Sequence, residues 1–183
     1  MAQAEPEPQD ELRTHLLVLR CQAGDERAFA ALLGAFGPRT LRYLRSLLGD
    51  DAEDAQQEVW LSVYRSIAAL ADPRAFRTWL FSATRRRAID HLRRRRREGE
   101  LFADEAYEGA AEDEPEPRFD ASVLDAMLAD LPAPQREVLL LRYRDDMTYS
   151  EIAVIVGCPV GTVRTRLHHA KRRVRGLMQR GQP

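Results

Sequence analysis

A chain of 183 residues has room for one ordinary domain or two small ones, and 44% apolar residues is enough to build a core. Its 28 basic and 29 acidic residues nearly cancel, to a formal net charge of −1, yet they are segregated along the chain and not mixed. No apolar run reaches the roughly 18 to 20 residues of a membrane span, the first residues (Glu5, Glu7, Asp10, Glu11) are acidic where a secretory leader is basic, and Cys21 and Cys158 lie far from each other and from any metal-ligand spacing. The expectation is a protein of the reducing cytoplasm, without metal or cofactor, whose two thiols pack as small hydrophobes.

Residues 1–14 read as an acidic tail. From Asp25 to Phe36 the side chains of Phe29, Leu32, Leu33 and Phe36 make one stripe, and from Pro38 to Leu48 Leu41, Leu44, Leu47 and Leu48 repeat it. Two helices are predicted, with Gly24, Gly37 and Gly49 as punctuation. A third starts with Asp51 as N-cap and runs to about Ala69, with Ala52, Ala55, Val59, Val63 and Ile67 inward. Asp50, Asp51, Glu53, Asp54 and Glu58 crowd its first turns, with no base until Arg65, which is more negative charge than a helix dipole requires. Spacing alone leaves two readings open: a solvated helix end, or a patch for a partner.

Asp72-Pro73 supplies an N-cap and a first-position proline for the fourth helix. That helix carries Phe76-Arg77-Thr78-Trp79-Leu80-Phe81 and then eight arginines between Arg85 and Arg97 against the single acid Asp90. Aromatics followed by a basic stripe suit stacking on unpaired bases while phosphates are held. Phe76, Trp79, Leu80 and Ala83 have core spacing as well, so Trp79 is open to either use. Glu98 to Pro117 then holds nine acids and no base, too charged and too poor in large apolar groups to offset its ordering entropy. It reads as a flexible linker beside the arginines, able to neutralise them.

The last segment is a helix-turn-helix. Thr148-Tyr149-Ser150-Glu151 is a capping box before Ile152, Ala153, Ile155 and Val156; Gly157 makes the turn, Pro159 bars continuation, and a second short helix opens at Val160. Val163 and Leu167 are expected to pack back on Ile152 and Val156. After Glu151 there are seven Lys/Arg and no acid, a bias that fits major-groove reading better than the mixed signs of an ordinary solvated face. The free face offers Arg164, Thr165, Arg166, His168, His169, Lys171 and Arg172 to base edges and phosphates. The fold expected is all-α: two small helical domains, 15–97 and 120–180, joined by an acidic flexible linker over 98–119.

In this order the motifs resemble the extracytoplasmic-function (group 4) sigma factors of bacterial RNA polymerase, over nearly the whole chain from Leu16 to Met178. The resemblance is carried by Ala23-Gly24-Asp25-Glu26-Arg27-Ala28-Phe29, by Asp51-Ala52-Glu53-Asp54-Ala55-Gln56-Gln57-Glu58-Val59, and by Phe76-Arg77-Thr78-Trp79-Leu80 with Asp90-His91-Leu92-Arg93. Leu131-Pro132, Arg136 to Tyr143, Tyr149-Ser150-Glu151-Ile152-Ala153 and Pro159 to Leu167 add the second domain. It implies core RNA polymerase as partner, through the β′ clamp helices and the β flap, with Asp51, Asp54, Gln57 and Glu58 at the clamp. It implies a first domain that captures the −10 strand with Leu70, Ala71, Asp72, Arg74, Phe76, Arg77, Trp79, Arg85, Arg86 and Arg87, and a second that reads −35. A cognate anti-sigma factor is implied too. Arg86 stands where the family commonly has Asn, and Ala83-Thr84 replaces Ile-Ala, which implies a shifted −10 preference.

Two rival readings make different demands. A stand-alone helix-turn-helix regulator needs a dimer surface and tight operator binding by itself. A metal-dependent nuclease built on Asp50, Asp51, Glu53 and Asp54 has no basic or histidine partner near in sequence and no glycine-rich phosphate loop, so the expectation is not an enzyme.

Overall fold

The computed structural model describes residues 8–98, 128 and 130–180, and divides the chain into two compact units between residues 100 and 101. Among the described residues there are helices and turns and no strand. The linker expected over 98–119 lies, beyond Glu98, outside them.

The first unit contains α1 (Pro8–Gln22), α2 (Glu26–Leu48), α3 (Ala52–Ser66) and α4 (Phe76–Glu98). Helix α1 takes up residues 8–14, which were expected as tail; Asp10 and Glu11 sit in its first turn, where the helix dipole favours them. The corner into α2 turns on Gly24, at φ 87°, and on Asp25, which accepts from the backbone N–H groups of Arg27 at 2.9 Å and Ala28 at 3.2 Å. Arg20 donates to the same carboxylate at 2.6 Å, and this bond, with the Ala28 amide next, lowers the Asp25 pKa.

Gly37 and Pro38 do not divide α2, which runs unbroken for 23 residues. Tertiary packing overrides the local breakers. Leu32, Phe36, Tyr43, Leu44 and Leu48, on both sides of Pro38, are all buried. Gln56 of α3 donates to the Gly37 carbonyl at 2.7 Å, and the buried Thr40 hydroxyl is shared between the carbonyls of Phe36 and Gly37 while accepting from the Trp60 indole at 3.3 Å. Edge-to-face pairs Phe36–Phe76 (5.5 Å) and Tyr43–Phe81 (5.6 Å) lock α2 to α4.

Asp51 precedes α3 but makes no side-chain cap bond, because the 3₁₀ turn Gly49–Asp51 leaves its backbone near helical values (φ −76°, ψ 1°). Its carboxylate points to α4 instead. The inward positions expected of the third helix, Ala52, Ala55, Val59, Val63 and Ile67, are all buried, with Trp60 beside them. A 3₁₀ turn, Ile67–Ala69, ends it; another, Pro73–Ala75, capped by Asp72 through the Arg74 amide at 2.9 Å, leads into α4.

The second unit holds α5 (Ala133–Tyr143), α6 (Tyr149–Val156) and α7 (Val160–Arg180). Its core is Leu131, Val138 to Leu141, Met147, Ile152, Ile155, Val156, Val163, Leu167, Ala170 and Val174. The capping box is complete: Glu151 N–H donates to Thr148 Oγ1 at 3.2 Å and Thr148 N–H to Glu151 Oε2 at 2.8 Å. Gly157 closes α6 in the left-handed region, at φ 67°. Helix α7 is not short; it runs for 21 residues.

Candidate nucleic-acid interface

One turn of α7 advances the chain by about 3.6 residues, so Val163, Leu167, Ala170 and Val174 form the buried stripe and Arg164, His168 and Arg172 lie on the side away from it. Arg164 and Arg172 are exposed and the two histidines half-buried. The Arg164 guanidinium lies 6.0 Å from the Tyr149 ring centroid, on the first residue of α6. The same ring lies 5.5 Å from the Arg142 guanidinium, so Tyr149 sits between two arginines, a placement the sequence marked only by its position beside the cap. His168 and His169 meet edge to face at 5.5 Å. Burial first, then the charges of His168 and Arg172, lower the His169 pKa, so its ring is neutral at pH 7, with one nitrogen donating and one accepting.

Three of the contacts expected on α7 are not presented on its outward face. Thr165 is buried, its hydroxyl turned back to donate to the Gly161 carbonyl at 3.1 Å. Lys171 is buried as well, since it stands four residues after Leu167 and three before Val174, on the flank of the packed stripe. Arg166 is half-buried and reaches back to Cys158 Sγ at 3.9 Å, away from the outward face.

In the first unit the turn between α3 and α4 leaves Ala71, Asp72 and Arg74 exposed and Leu70 half-buried. Gln22, at the end of α1, holds this turn by donating to the carbonyls of Leu70 at 2.8 Å and Ile67 at 3.2 Å. Nothing in the spacing marked Gln22; its partners are 45 and 48 residues away. Phe76 is fully buried against Phe36, so it is a core residue and not a strand contact. Trp79, 6.0 Å from Phe76, is half-buried, as are Arg77, Arg85 and Arg87, while Arg86 is exposed. Arg86, Arg87 and Asp90, with Val59, Ser62 and Ala83, line a shallow cleft of about 150 Å³ between α3 and α4.

On α3, Asp54 and Gln57 are exposed, and Leu61 (50%) and Tyr64 (52%) continue their stripe one and two turns on. Asp51 and Glu58 are engaged. Arg95 donates to Asp51 at 2.9 Å, and Glu58 Oε2 lies 3.1 Å from Arg87, 3.5 Å from His91 and 3.7 Å from Arg94. Glu53 pairs with Arg45 at 2.7 Å. Arg87, Arg94 and Arg95 of α4 are thus met by Glu58 of α3 and by Asp51 just before it, where the sequence pointed to the linker as their partner. Among the described residues no group of His, Cys, Asp and Glu is placed to hold a metal ion. None of their helices is long and apolar enough to cross a membrane.

A capped helix-turn-helix with an outward arginine–histidine stripe, preceded by a bundle with an exposed turn and an arginine-rich helix, is the build of a two-unit DNA-binding transcription protein. Residues 32–98 match the Sigma-70 region 2 family and residues 122–174 the Sigma-70, region 4 family. The chain is 30% identical to the ECF RNA polymerase sigma-E factor of Haemophilus influenzae, covering 93% of this chain and 97% of that one. It is 31% identical to the RNA polymerase sigma-H factor of Pseudomonas aeruginosa, over 89% and 92%. Two solved structures share the fold: CnrH in complex with the cytosolic domain of CnrY (TM-score 0.65, 22% identity, 93% of this chain and 99% of that one), and the Bartonella quintana sigma factor RpoE with the anti-sigma factor NepR (TM-score 0.66, 24%, 84% and 98%). The chain belongs to the extracytoplasmic-function sigma factors of the sigma-70 family. It is an alternative sigma factor, a regulatory protein that directs RNA polymerase to promoters.

Proposed function

We propose that the two units divide promoter recognition at the residues described above. In the second unit α7 enters the major groove of the −35 element, where Arg164, His168, His169 and Arg172 meet base edges and the flanking Arg173 meets phosphate. In the first, the turn Leu70, Ala71, Asp72 and Arg74 takes a base flipped from the non-template −10 strand, while Arg77, Trp79, Arg85, Arg86 and Arg87 hold the strand along α4. The outer stripe of α3, Asp54 and Gln57 continued by Leu61 and Tyr64, docks on the β′ clamp helices, and the second unit engages the β flap. The protein works in the cytoplasm with core polymerase and is held in check by a cognate anti-sigma factor, as the NepR complex of the Bartonella protein suggests by analogy.

The observation that carries this reading is the outward stripe of α7, presented by a helix-turn-helix whose cap and turn are both satisfied, on the same chain as an exposed turn that opens an arginine-rich helix. Run-off transcription with core polymerase on a genomic promoter library tests it. Start sites should share paired −35 and −10 sequences, and Arg164→Ala should change the preferred −35 bases. Tight binding of a free dimer to double-stranded sites, with no transcript from the reconstituted polymerase, would instead mark a stand-alone regulator.

A further inference from the structure

We propose that Gln22 is a positioning residue for −10 recognition: its amide fixes the direction in which the turn between α3 and α4 presents Ala71, and so sets which base the turn prefers. This deepens the assignment of that turn to a flipped base and rests on it.

The turn's own hydrogen bonds close within three residues: Leu70 N–H donates to the Ile67 carbonyl at 3.2 Å, Ala75 N–H to the Asp72 carbonyl at 3.0 Å, and Arg74 N–H to the Asp72 carboxylate at 2.9 Å. Each belongs to one of the two 3₁₀ turns, Ile67–Ala69 or Pro73–Ala75, and between these Leu70 and Asp72 are extended, with ψ 109° and 105°. Such a stretch takes its orientation from what holds it outside. Helix α1 supplies the hold: it packs against both 3₁₀ turns, and Gln22, its last residue, is half-buried. An amide nitrogen carries two protons, and Gln22 has two acceptors for them, Leu70 O at 2.8 Å and Ile67 O at 3.2 Å. The pair of carbonyls also fixes which end of the amide faces the turn. Arg20, bonded to Asp25 at 2.6 Å, pins this end of α1 to the start of α2, so the amide reaches out from a fixed corner.

The Leu70 carbonyl matters most. It belongs to the planar trans peptide that enters Ala71, so holding its oxygen toward α1 turns the Ala71 N–H to the opposite side. Leu70 is half-buried while Ala71 and Asp72 are exposed, which puts the held peptide at the boundary between packed and offered residues. Without the Gln22 donor that peptide can rotate, and the N–H and methyl of Ala71 move with it. A flipped base is told from another by its hydrogen-bonding edge, which such a rotation misaligns. Gln22 acts through the turn and need not meet the base.

The test uses the full chain reconstituted with core polymerase, and run-off transcription from one promoter in which each non-template −10 position carries each base in turn. Ratios between bases are compared within each variant, so polymerase affinity and active fraction cancel. Gln22→Met keeps the length and removes the donor; it should change the base ratio at one −10 position by about three- to tenfold, the weight of one or two neutral hydrogen bonds. Gln22→Glu, which sets an oxygen against both carbonyls, is a second donor-free variant and should move the same ratio. Gln22→Lys restores a donor and should return it close to wild type. Gln56→Met removes a comparable bond away from the turn, to the Gly37 carbonyl at 2.7 Å, and should leave every ratio alone. Ala71→Phe alters the exposed tip itself. If Ala71→Phe shifts the −10 ratios while Gln22→Met and Gln22→Glu shift them no more than Gln56→Met does, the positioning role is overturned and the turn keeps its assignment. If none of these variants shifts them, the turn is not the reader and both readings fall.

Discussion

Arg164 is exposed on the outward side of α7, beside the ring of Tyr149, and its loss can read out in two ways. If Arg164 reads a base, Arg164→Ala costs about 1 to 3 kcal/mol on promoters that carry that base and little on the rest. Transcription from a −35 substitution series checks this; a uniform loss would assign the side chain to phosphate. His169 gives a pH dependence. Its folded pKa lies below the unfolded value of 6.5, so well above pH 6.5 both states hold a mostly neutral ring. As pH falls through that value the unfolded chain takes the proton first, and the second unit loses stability. Melting curves from pH 7.5 to 5 should show a decline that His169→Gln reduces. At this scale the sequence was a partial guide. It picked out Arg164 and Arg172, which are exposed, because arginine in a basic, acid-free helix has few other uses. It misplaced Thr165, Lys171 and Phe76, because a shift of one position on a helical wheel decides burial, and only the packing of neighbouring helices fixes the wheel's angle.

Elements were legible where local chemistry alone sets them. The capping box, the Gly157 turn and the Asp72 cap were all visible as short motifs, since each is satisfied within four residues. Thr148→Ala should cost the second unit about 1 kcal/mol through the lost cap. Gly157→Ala should cost about 1 to 2 kcal/mol, all of it from backbone strain at φ 67°, because an added methyl would meet nothing within 4 Å. Urea denaturation monitored by helical signal measures both. Elements were illegible where distant packing overrides local preference. Gly37-Pro38 has every mark of a helix end, and α2 passes through it because both flanks are buried against the rest of the unit. Asp51 has every mark of a cap and serves α4 instead.

For the whole molecule, two units on one chain mean that losing one function need not damage the other. Asp54→Ala/Gln57→Ala changes only exposed groups of α3, so the fold should be unaffected. We expect at least tenfold weaker competition against another sigma factor for core polymerase, measured by binding of labelled core, with the thermal midpoint unchanged. An unaltered affinity would move the polymerase contact off this stripe. The order of motifs along the chain was enough to read the two-unit plan. The pairing of α3 acids with α4 arginines was not, because their partners are 29 to 44 residues apart.

Gln22 holds the carbonyls of Ile67 and Leu70 from the end of the first helix. The shape of the turn that we propose takes a flipped base is therefore set in part by a side chain outside the proposed contact. On that proposal, selection acting on the first helix retunes which promoters fire while every proposed contact to DNA stays the same, and a comparison of those positions alone would miss the change.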